Sequence, residues 1–201
     1  MDNAVLDIII EFVKATNKGK SKTDRLVESY DETGNRYSIF NSKYLLGQII
    51  RNYNIPKENY HVSKAAMELW NRLTSEDISN FFFDETIRCD RADNTPVRIY
   101  KGNSKDCKEQ LIKKNDTVRF NDVFHGEHVI PVRIIIDKLL KLEDPTYDEV
   151  SEILKHIHIC RILKDEDKRI VEKSNRPYDY REIVDTIYKK AGIEIYEGSN
   201  E

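Results

Sequence analysis

Two short strand patterns separated by two helical patterns constrain the fold of this chain most strongly. Residues 117–124 alternate apolar with polar side chains, residues 157–163 are rich in β-branched ones, and both segments are predicted as strands. Between them, residues 131–142 and 147–155 have the periodicity of amphipathic helices. Asp165 is typical of the N-cap of a further helix. This order of elements predicts an α+β fold.

The part of the chain that precedes these strands is predicted to be mainly helical. Helical patterns cover residues 43–53 and 64–73, and the connection between them is too long for a helix-turn-helix. A final helix is predicted near the C-terminus, before Gly192. The three predicted regions, in chain order, are 1–115, 116–175 and 176–201.

Charge and cysteine usage exclude several classes of protein. The 33 basic and 36 acidic residues give a net charge of −3, so bulk positive charge cannot hold nucleic acid, although a local basic groove can. No apolar run approaches the roughly 18 residues of a membrane span, and we expect a soluble cytoplasmic protein. The three cysteines are far apart and form no CxxC motif, so we expect neither a disulfide framework nor a structural zinc site.

The chemistry of the chain is concentrated around the two predicted strands. Glu127 and His128 are adjacent after a turn at Gly126, and acidic residues occupy the first turn of the helix that follows the second strand. Phosphodiester hydrolysis needs a base near neutral pH, which suits histidine, and a divalent cation, which suits carboxylate ligands. The pair therefore supplies one ligand and one base, although many Glu-His pairs would satisfy this chemistry.

The run Glu127-His128-Val129-Ile130-Pro131 resembles the HNH, or ββα-metal, nuclease family. In that family a strand ends in an acidic residue or histidine followed by His and then Ile-Ile-Pro or Val-Ile-Pro, and a second strand and a helix complete the site. The resemblance covers about residues 117–174 and implies a ββα-metal core with a helical insertion. It implies His128 as general base and Glu127 as metal ligand. Asp167, or Glu166 after a one-residue shift, falls where the family has its second ligand.

Other histidines near this motif have several possible roles. His125 could add a metal ligand, bind the scissile phosphate or brace the turn. His156 and His158 have the spacing that puts two strand residues on one face, so one of them could lie beside the metal, or both could be structural. His61 has no informative context, and we expect it to be structural or at the surface.

Basic and amide side chains are candidates for DNA contacts. In a ββα-metal fold, Arg161, Lys164, Lys168 and Arg169 would lie near the DNA backbone, although salt bridges with neighbouring acids are an equally good interpretation. Lys43, Arg51 and Asn52 are among the N-terminal side chains that could read base edges, and a polar helix face is at least as good an interpretation of them.

The resemblance and the long N-terminal region together predict a Type II restriction endonuclease of the HNH class. Such an enzyme cuts double-stranded DNA at a specific sequence, uses a divalent metal, Mg²⁺ or else Mn²⁺, and forms a homodimer in a bacterial cytoplasm. Two alternatives stay open. One is an HNH nuclease of phage-defence, toxin or homing type without its own sequence readout, and the other is a non-catalytic module that binds DNA or protein.

Overall fold

The structure, a computed structural model, describes residues 3–22, 28–30, 36–38, 42–51, 53, 55–80, 85–101, 106–173 and 175–197. It is a mixed α+β fold with small sheets, which confirms the predicted fold class at that level. The chain folds as two units. The helical unit consists of Met1–Ile55 and Ile130–Ile157, and the sheet unit consists of Pro56–Val129 and His158–Glu201.

The described helices are, in chain order, α1 (Asn3–Lys22), α2 (Ser42–Arg51), α3 (Lys64–Leu73), α4 (Phe120–Val123), α5 (Val132–Leu139), α6 (Tyr147–Leu154), α7 (Lys164–Arg169) and α8 (Tyr180–Ile183). The described strands are β1 (Glu28–Tyr30), β2 (Arg36–Ser38), β3 (Tyr60–Val62), β4 (Thr86–Arg88), β5 (Thr95–Ile99), β6 (Lys108–Ile112), β7 (Thr117–Arg119), β8 (Phe124–His128) and β9 (Ile159–Leu163). Short 3₁₀ turns lie at Lys57–Asn59 and Ile78–Asn80, and α8 continues into a π-helical turn at Val184–Tyr188. None of the helices in these ranges combines the length and the apolar character that a membrane crossing requires.

The helical unit is built by packing α1, α2, α5 and α6 through their apolar faces. The predicted face of α5 is buried, as its helical spacing requires. A Cβ added at Gly47 of α2 would lie 3.1 Å from Arg51 Nη1, the end of a flexible side chain, and in ordinary contact with Ile136 Cδ1 of α5 at 3.4 Å. Thr146 begins α6 with a capping box closed by Glu149. The buried residues at these contacts include Leu6, Ile9, Val13, Leu46, Ile50, Val132, Ile135, Ile136, Leu139, Val150 and Leu154.

The sheet unit is organised around a three-stranded sheet with β9 at its centre. Strand β9 pairs in parallel with β3 and antiparallel with β8. All five residues of β9 are buried or nearly so, which matches the β-branched pattern of the sequence. Trp70, Phe120 and Phe124 pack as an aromatic cluster, with ring centroids 5.1–6.2 Å apart. Ser63 caps α3 by accepting a hydrogen bond from the Ala66 backbone N–H.

The two units differ in their boundaries from the predicted regions 1–115, 116–175 and 176–201. Helices α5 and α6 interrupt the segment between β8 and β9, yet they belong to the helical unit. The reason is that their apolar faces pack against α1 and α2. The N-terminal region also contributes β3 and α3 to the sheet unit, so it is not one mainly helical body.

The three thiols differ in exposure, and this gives a direct test of the fold. All three are free cysteines, of which Cys89 and Cys160 are buried and Cys107 is exposed. Burial raises the pKa of the Cys89 thiol to about 11 and raises the pKa of Cys160 as well. We expect Ellman's reagent to react rapidly with one thiol of the native protein and with all three after denaturation. Rapid reaction of two or three native thiols, or a fast phase that survives in Cys107→Ser, would contradict this packing.

Candidate metal centre

Side chains from two neighbouring elements of the sheet unit come together beside β8. Strand alternation puts His125 and Glu127 on one face of β8, and helix α7 brings Asp167 to that face. His125 Nε2 lies 3.3 Å from Glu127 Oε2 and 4.0 Å from Asp167 Oδ1. One potential ligand atom of each residue lies within 4.8 Å of the other two. These three residues, called the metal group below, could hold a metal ion.

The donor set of the metal group fits a divalent cation. Two carboxylates and one imidazole combine oxygen donors with a nitrogen donor, and oxygen donors favour Mg²⁺ and Mn²⁺. Ligands bound to one ion at about 2.1–2.5 Å are separated by at most about 5 Å. The 4.8 Å spread of the metal group is within that limit.

The start of α7 explains why Asp167, and not Glu166, belongs to the metal group. Glu166 is buried, and its Oε2 accepts hydrogen bonds from Ser63 Oγ at 2.6 Å and from the Leu163 backbone N–H at 2.8 Å. These bonds cap the helix and tie it to the residue that follows β3. The next residue is rotated by about 100° around the helix, which turns Asp167 towards His125. The structure therefore places Asp167, and not Glu166, in the group that could hold a metal ion.

A buried arginine holds the other side of Glu127. The Arg176 side chain is fully buried, and its Nη2 lies 2.6 Å from Glu127 Oε1. Its Nη1 donates a hydrogen bond to the Val129 carbonyl at 2.9 Å, and its Nε donates one to the Glu172 carbonyl at 2.6 Å. One carboxylate oxygen of Glu127 is therefore paired with Arg176, and the other faces His125.

These neighbours determine the charge of Glu127. Its side chain is only 12% exposed, and burial by itself would raise the pKa of the carboxyl. The hydrogen bond with His125 and the positive charge of Arg176 outweigh burial and hold the pKa of Glu127 below its usual value. Glu127 is therefore a carboxylate at neutral pH, which is the form that a metal ligand requires.

A partly exposed lysine forms an ion pair with Asp167. Lys173 Nζ lies 2.8 Å from both carboxylate oxygens of Asp167. Its side chain is about half exposed, in contrast to the buried side chain of Arg176. The carboxylates of the metal group are thus each paired with a basic residue, one buried and one at the surface. The exposed pair can separate into water at small cost, since surface ion pairs contribute little free energy.

The predicted general base is not in the metal group. His128 is the last residue of β8, and strand alternation places its side chain on the opposite face from Glu127. Its Nε2 is buried. The histidine on the metal-group face is His125, for which the sequence analysis left three roles open. The general-base role of His128 stays a prediction.

Two other histidines, His61 of β3 and His158 just before β9, pack together away from the metal group. The rings of His61 and His158 stack on Tyr180 at centroid distances of 4.4 and 4.5 Å. His61 Nε2 lies 3.0 Å from His158 Nδ1, and burial lowers the pKa of His61. His158 therefore packs with an aromatic side chain, and neither it nor His156 is in the metal group.

The predicted DNA contacts around β9 and α7 differ widely in exposure. Arg161 is only 6% exposed, lies 5.3 Å above the Tyr60 ring and contacts the Ser79 carbonyl, so it is packed inside the unit. Lys168 Nζ lies 3.5 Å from the centre of the Tyr100 ring.

The other residues predicted to contact DNA lie in different local environments. Arg169 donates a hydrogen bond to the Gly192 carbonyl, and Lys164 is partly buried, which lowers its pKa. Arg51 is exposed at the end of α2 in the helical unit. The side chain of Lys43, and Asn52 as a whole, lie outside the described residues.

Sequence reasoning missed Arg176 and Lys173, both of which contact the metal group. Arg176 lies in Asn175-Arg176-Pro177, a segment whose composition indicates only the end of a helix. No local pattern distinguishes a buried loop arginine from an exposed one. The short spacing from Asp167 to Lys173 was the one available signal, because it allows an ion pair near the end of a short helix.

The arrangement offers two carboxylates, an imidazole and a buried guanidinium at one edge of the sheet unit. Such a site can bind a cation and orient an anionic substrate beside it. Comparison with protein-family models, with curated proteins and with solved structures finds no match for this chain. Inference about its chemistry therefore rests on the residues themselves.

Proposed function

We propose that this chain is a metal-dependent endonuclease that hydrolyses phosphodiester bonds in double-stranded DNA. The observation that carries the proposal is the metal group, formed by His125 and Glu127 of strand β8 and Asp167 of helix α7. Strands β8 and β9 with helix α7 have the order of a ββα-metal core, and we propose them as that core. The resemblance of the Glu127-to-Pro131 segment to HNH nucleases supports the same interpretation.

The residues of the metal group have distinct proposed roles. Glu127 and Asp167 would hold a divalent cation, most simply Mg²⁺ or Mn²⁺, and His125 completes the donor set. When bound, the cation supplies positive charge to the phosphate oxygens and makes water easier to deprotonate. Glu127 can serve because it is ionised and because one of its oxygens faces the group.

The general base is a histidine, and two are available. The HNH resemblance assigns this role to His128, whereas His125 lies 3.3 Å from Glu127. Separate His125→Ala and His128→Ala variants distinguish them. Loss of the base lowers the rate by about 10²–10⁴-fold without abolishing metal binding. Loss of a ligand weakens metal binding itself.

Sequence specificity and dimer formation are further parts of the proposal. A Type II restriction enzyme requires recognition residues outside the core, and the helical unit with Arg51 is available for that role. A homodimer would match the two-fold symmetry of a palindromic site. In the alternative of a defence, toxin or homing nuclease, the same core would act without its own sequence readout.

Digestion of a sequenced phage genome tests this function. Purified protein is incubated with the DNA in Mg²⁺ and in EDTA, beside the His125→Ala and His128→Ala variants. Discrete bands that require Mg²⁺ support a sequence-specific nuclease, and a metal-dependent smear supports the alternative without sequence readout. Intact DNA in every lane, with folded protein and with modified and unmodified genomes, would contradict nuclease activity and favour a non-catalytic module.

A further inference from the structure

Arg176 has an unusual environment for an arginine in a connecting segment. Its side chain has no exposed surface, although arginine is rarely buried without a specific partner. The residue lies between α7 and α8 and belongs to neither helix. A guanidinium in such a position must be satisfied by fixed acceptors, because water cannot reach it.

Three backbone carbonyls and one carboxylate of the sheet unit surround this guanidinium, and the longest of these contacts runs from Nη1 to the His128 carbonyl at 3.4 Å. Nε donates to the Glu172 carbonyl at 2.6 Å, and Nη1 donates to the Val129 carbonyl at 2.9 Å. Nη2 lies 2.6 Å from Glu127 Oε1. Because the guanidinium is planar and rigid, the contacts of Nε and Nη1 to backbone carbonyls fix the direction in which Nη2 points.

The direction of Nη2 determines which oxygen of Glu127 is available. Oε1 is paired with Arg176, so Oε2 is the oxygen that faces His125 at 3.3 Å. A free glutamate side chain would rotate among several rotamers and would present either oxygen. The backbone-anchored guanidinium removes that freedom.

We infer that Arg176 is the positioning residue of the metal group, holding Glu127 so that Oε2 alone is offered to the cation. This role rests on the proposed function, since it requires that the metal group binds a cation. Residues that orient metal ligands typically contribute about 10–100-fold to metal affinity. Arg176 contacts the metal group at Glu127 and acts through that residue.

Lysine cannot replace this arginine. A lysine ammonium keeps the positive charge but carries its donors on a single nitrogen, so it cannot reach Glu127 and the backbone carbonyls in the same fixed geometry. Arg176→Lys therefore separates orientation from charge. Arg176→Met removes both, and it leaves Glu127 buried without its partner, so this variant can also lose stability.

The test is a titration with Mn²⁺ alone, without DNA, followed by electron paramagnetic resonance of the free ion. Wild type, Arg176→Lys and Arg176→Met are compared, and circular dichroism melting establishes that each variant is folded. The matched control is Arg88→Lys, the same change at an exposed arginine of the sheet unit whose guanidinium contacts Asn115. We expect Mn²⁺ affinity to fall about tenfold in Arg176→Lys and up to about 100-fold in Arg176→Met.

The outcomes separate this inference from the proposed function. Wild-type affinity in folded Arg176→Lys overturns the positioning role, and an equal loss in Arg88→Lys overturns it as well. If Arg176→Met does not fold, Arg176→Lys alone decides. Wild-type protein that binds no Mn²⁺ at millimolar concentration contradicts the metal centre itself, and the role of Arg176 falls with it.

Discussion

Asp167→Asn should reduce Mg²⁺-dependent DNA cleavage by at least about a thousandfold, which corresponds to about 4 kcal/mol of lost transition-state stabilisation. Asparagine keeps the shape of the side chain but removes the negative charge that a divalent cation requires. Asp167 is also the member of the metal group that α7 supplies, so removing its charge leaves the cation with His125 and Glu127 of β8 alone. The measurement is the initial rate of plasmid cleavage in Mg²⁺, with EDTA as the blank.

The matched control for this variant is Asp93→Asn, the same change at an exposed aspartate of the sheet unit. It should cleave at the wild-type rate. The fold of Asp167→Asn should survive, because the partner it loses is the half-exposed Lys173. Metal-dependent cleavage within tenfold of wild type in folded Asp167→Asn would exclude the metal group as the catalytic site.

Glu127→Ala should lower the free energy of unfolding by about 3–5 kcal/mol, which is a large fraction of the stability of a domain this size. The variant leaves the fully buried guanidinium of Arg176 without its ionic partner. Water cannot reach that charge in the folded state, whereas it hydrates the charge in the unfolded state, so the free energy of desolvation destabilises the folded state. Urea unfolding with linear extrapolation measures the difference.

A surface ion pair of nearly the same length is the control for Glu127→Ala. Lys64 Nζ lies 2.7 Å from Glu194 Oε2, and the two side chains are 54% and 73% exposed. Glu194→Ala should leave the urea midpoint almost unchanged, because both groups remain hydrated. Combining Glu127→Ala with Arg176→Met should recover part of the lost stability, since no unpaired charge is then buried. Equal effects of Glu127→Ala and Glu194→Ala would contradict the buried environment of Arg176.

Strand β9 and helix α5 could be predicted because each has a local pattern, whereas the predicted strand 117–124 was wrong over residues 120–123, which form helix α4. The β-branched side chains at 159–163 match buried strand β9, and the apolar spacing of 132–139 matches helix α5. Ser63 and Thr146 cap their helices through hydrogen bonds to residues three positions away. Such features depend on neighbours in the chain, so they can be recognised without knowledge of the fold.

The candidate site could be predicted only in part. Glu127 and Asp167 were found because they are acidic residues next to predicted elements, and the family resemblance related the two segments. The face of a sheet on which a side chain lies depends on the register of its strand. The register of β8 puts His125 on the metal-group face and His128 on the opposite face. The pairing of β8 with β9 sets that register across about thirty residues of intervening chain.

Arg161 shows the limit of prediction from residue type. Its sequence context suggested a phosphate contact, yet its guanidinium packs over the ring of Tyr60, which comes from β3 about a hundred positions earlier. Arg176 is the converse case, since a residue in an unremarkable turn is buried against Glu127. Burial of a basic side chain depends on which distant elements pack over it, and its own neighbours do not encode this.

Local patterning was therefore sufficient for helices α2, α3, α5 and α6, for strand β9, for the α+β class and for the two segments that carry the candidate acidic ligands. It was not sufficient for residues 117–128, where one predicted strand is replaced by β7, helix α4 and β8. The properties that it predicted follow from hydrophobic periodicity, β-branching and capping, which act over a few residues. The packing of α5 and α6 with α1 and α2, the placement of Asp167 rather than Glu166 in the metal group, and the pairing of Glu127 with Arg176 required the folded chain. They depend on contacts between residues tens of positions apart, whose free energy is realised only when burial removes the competing water.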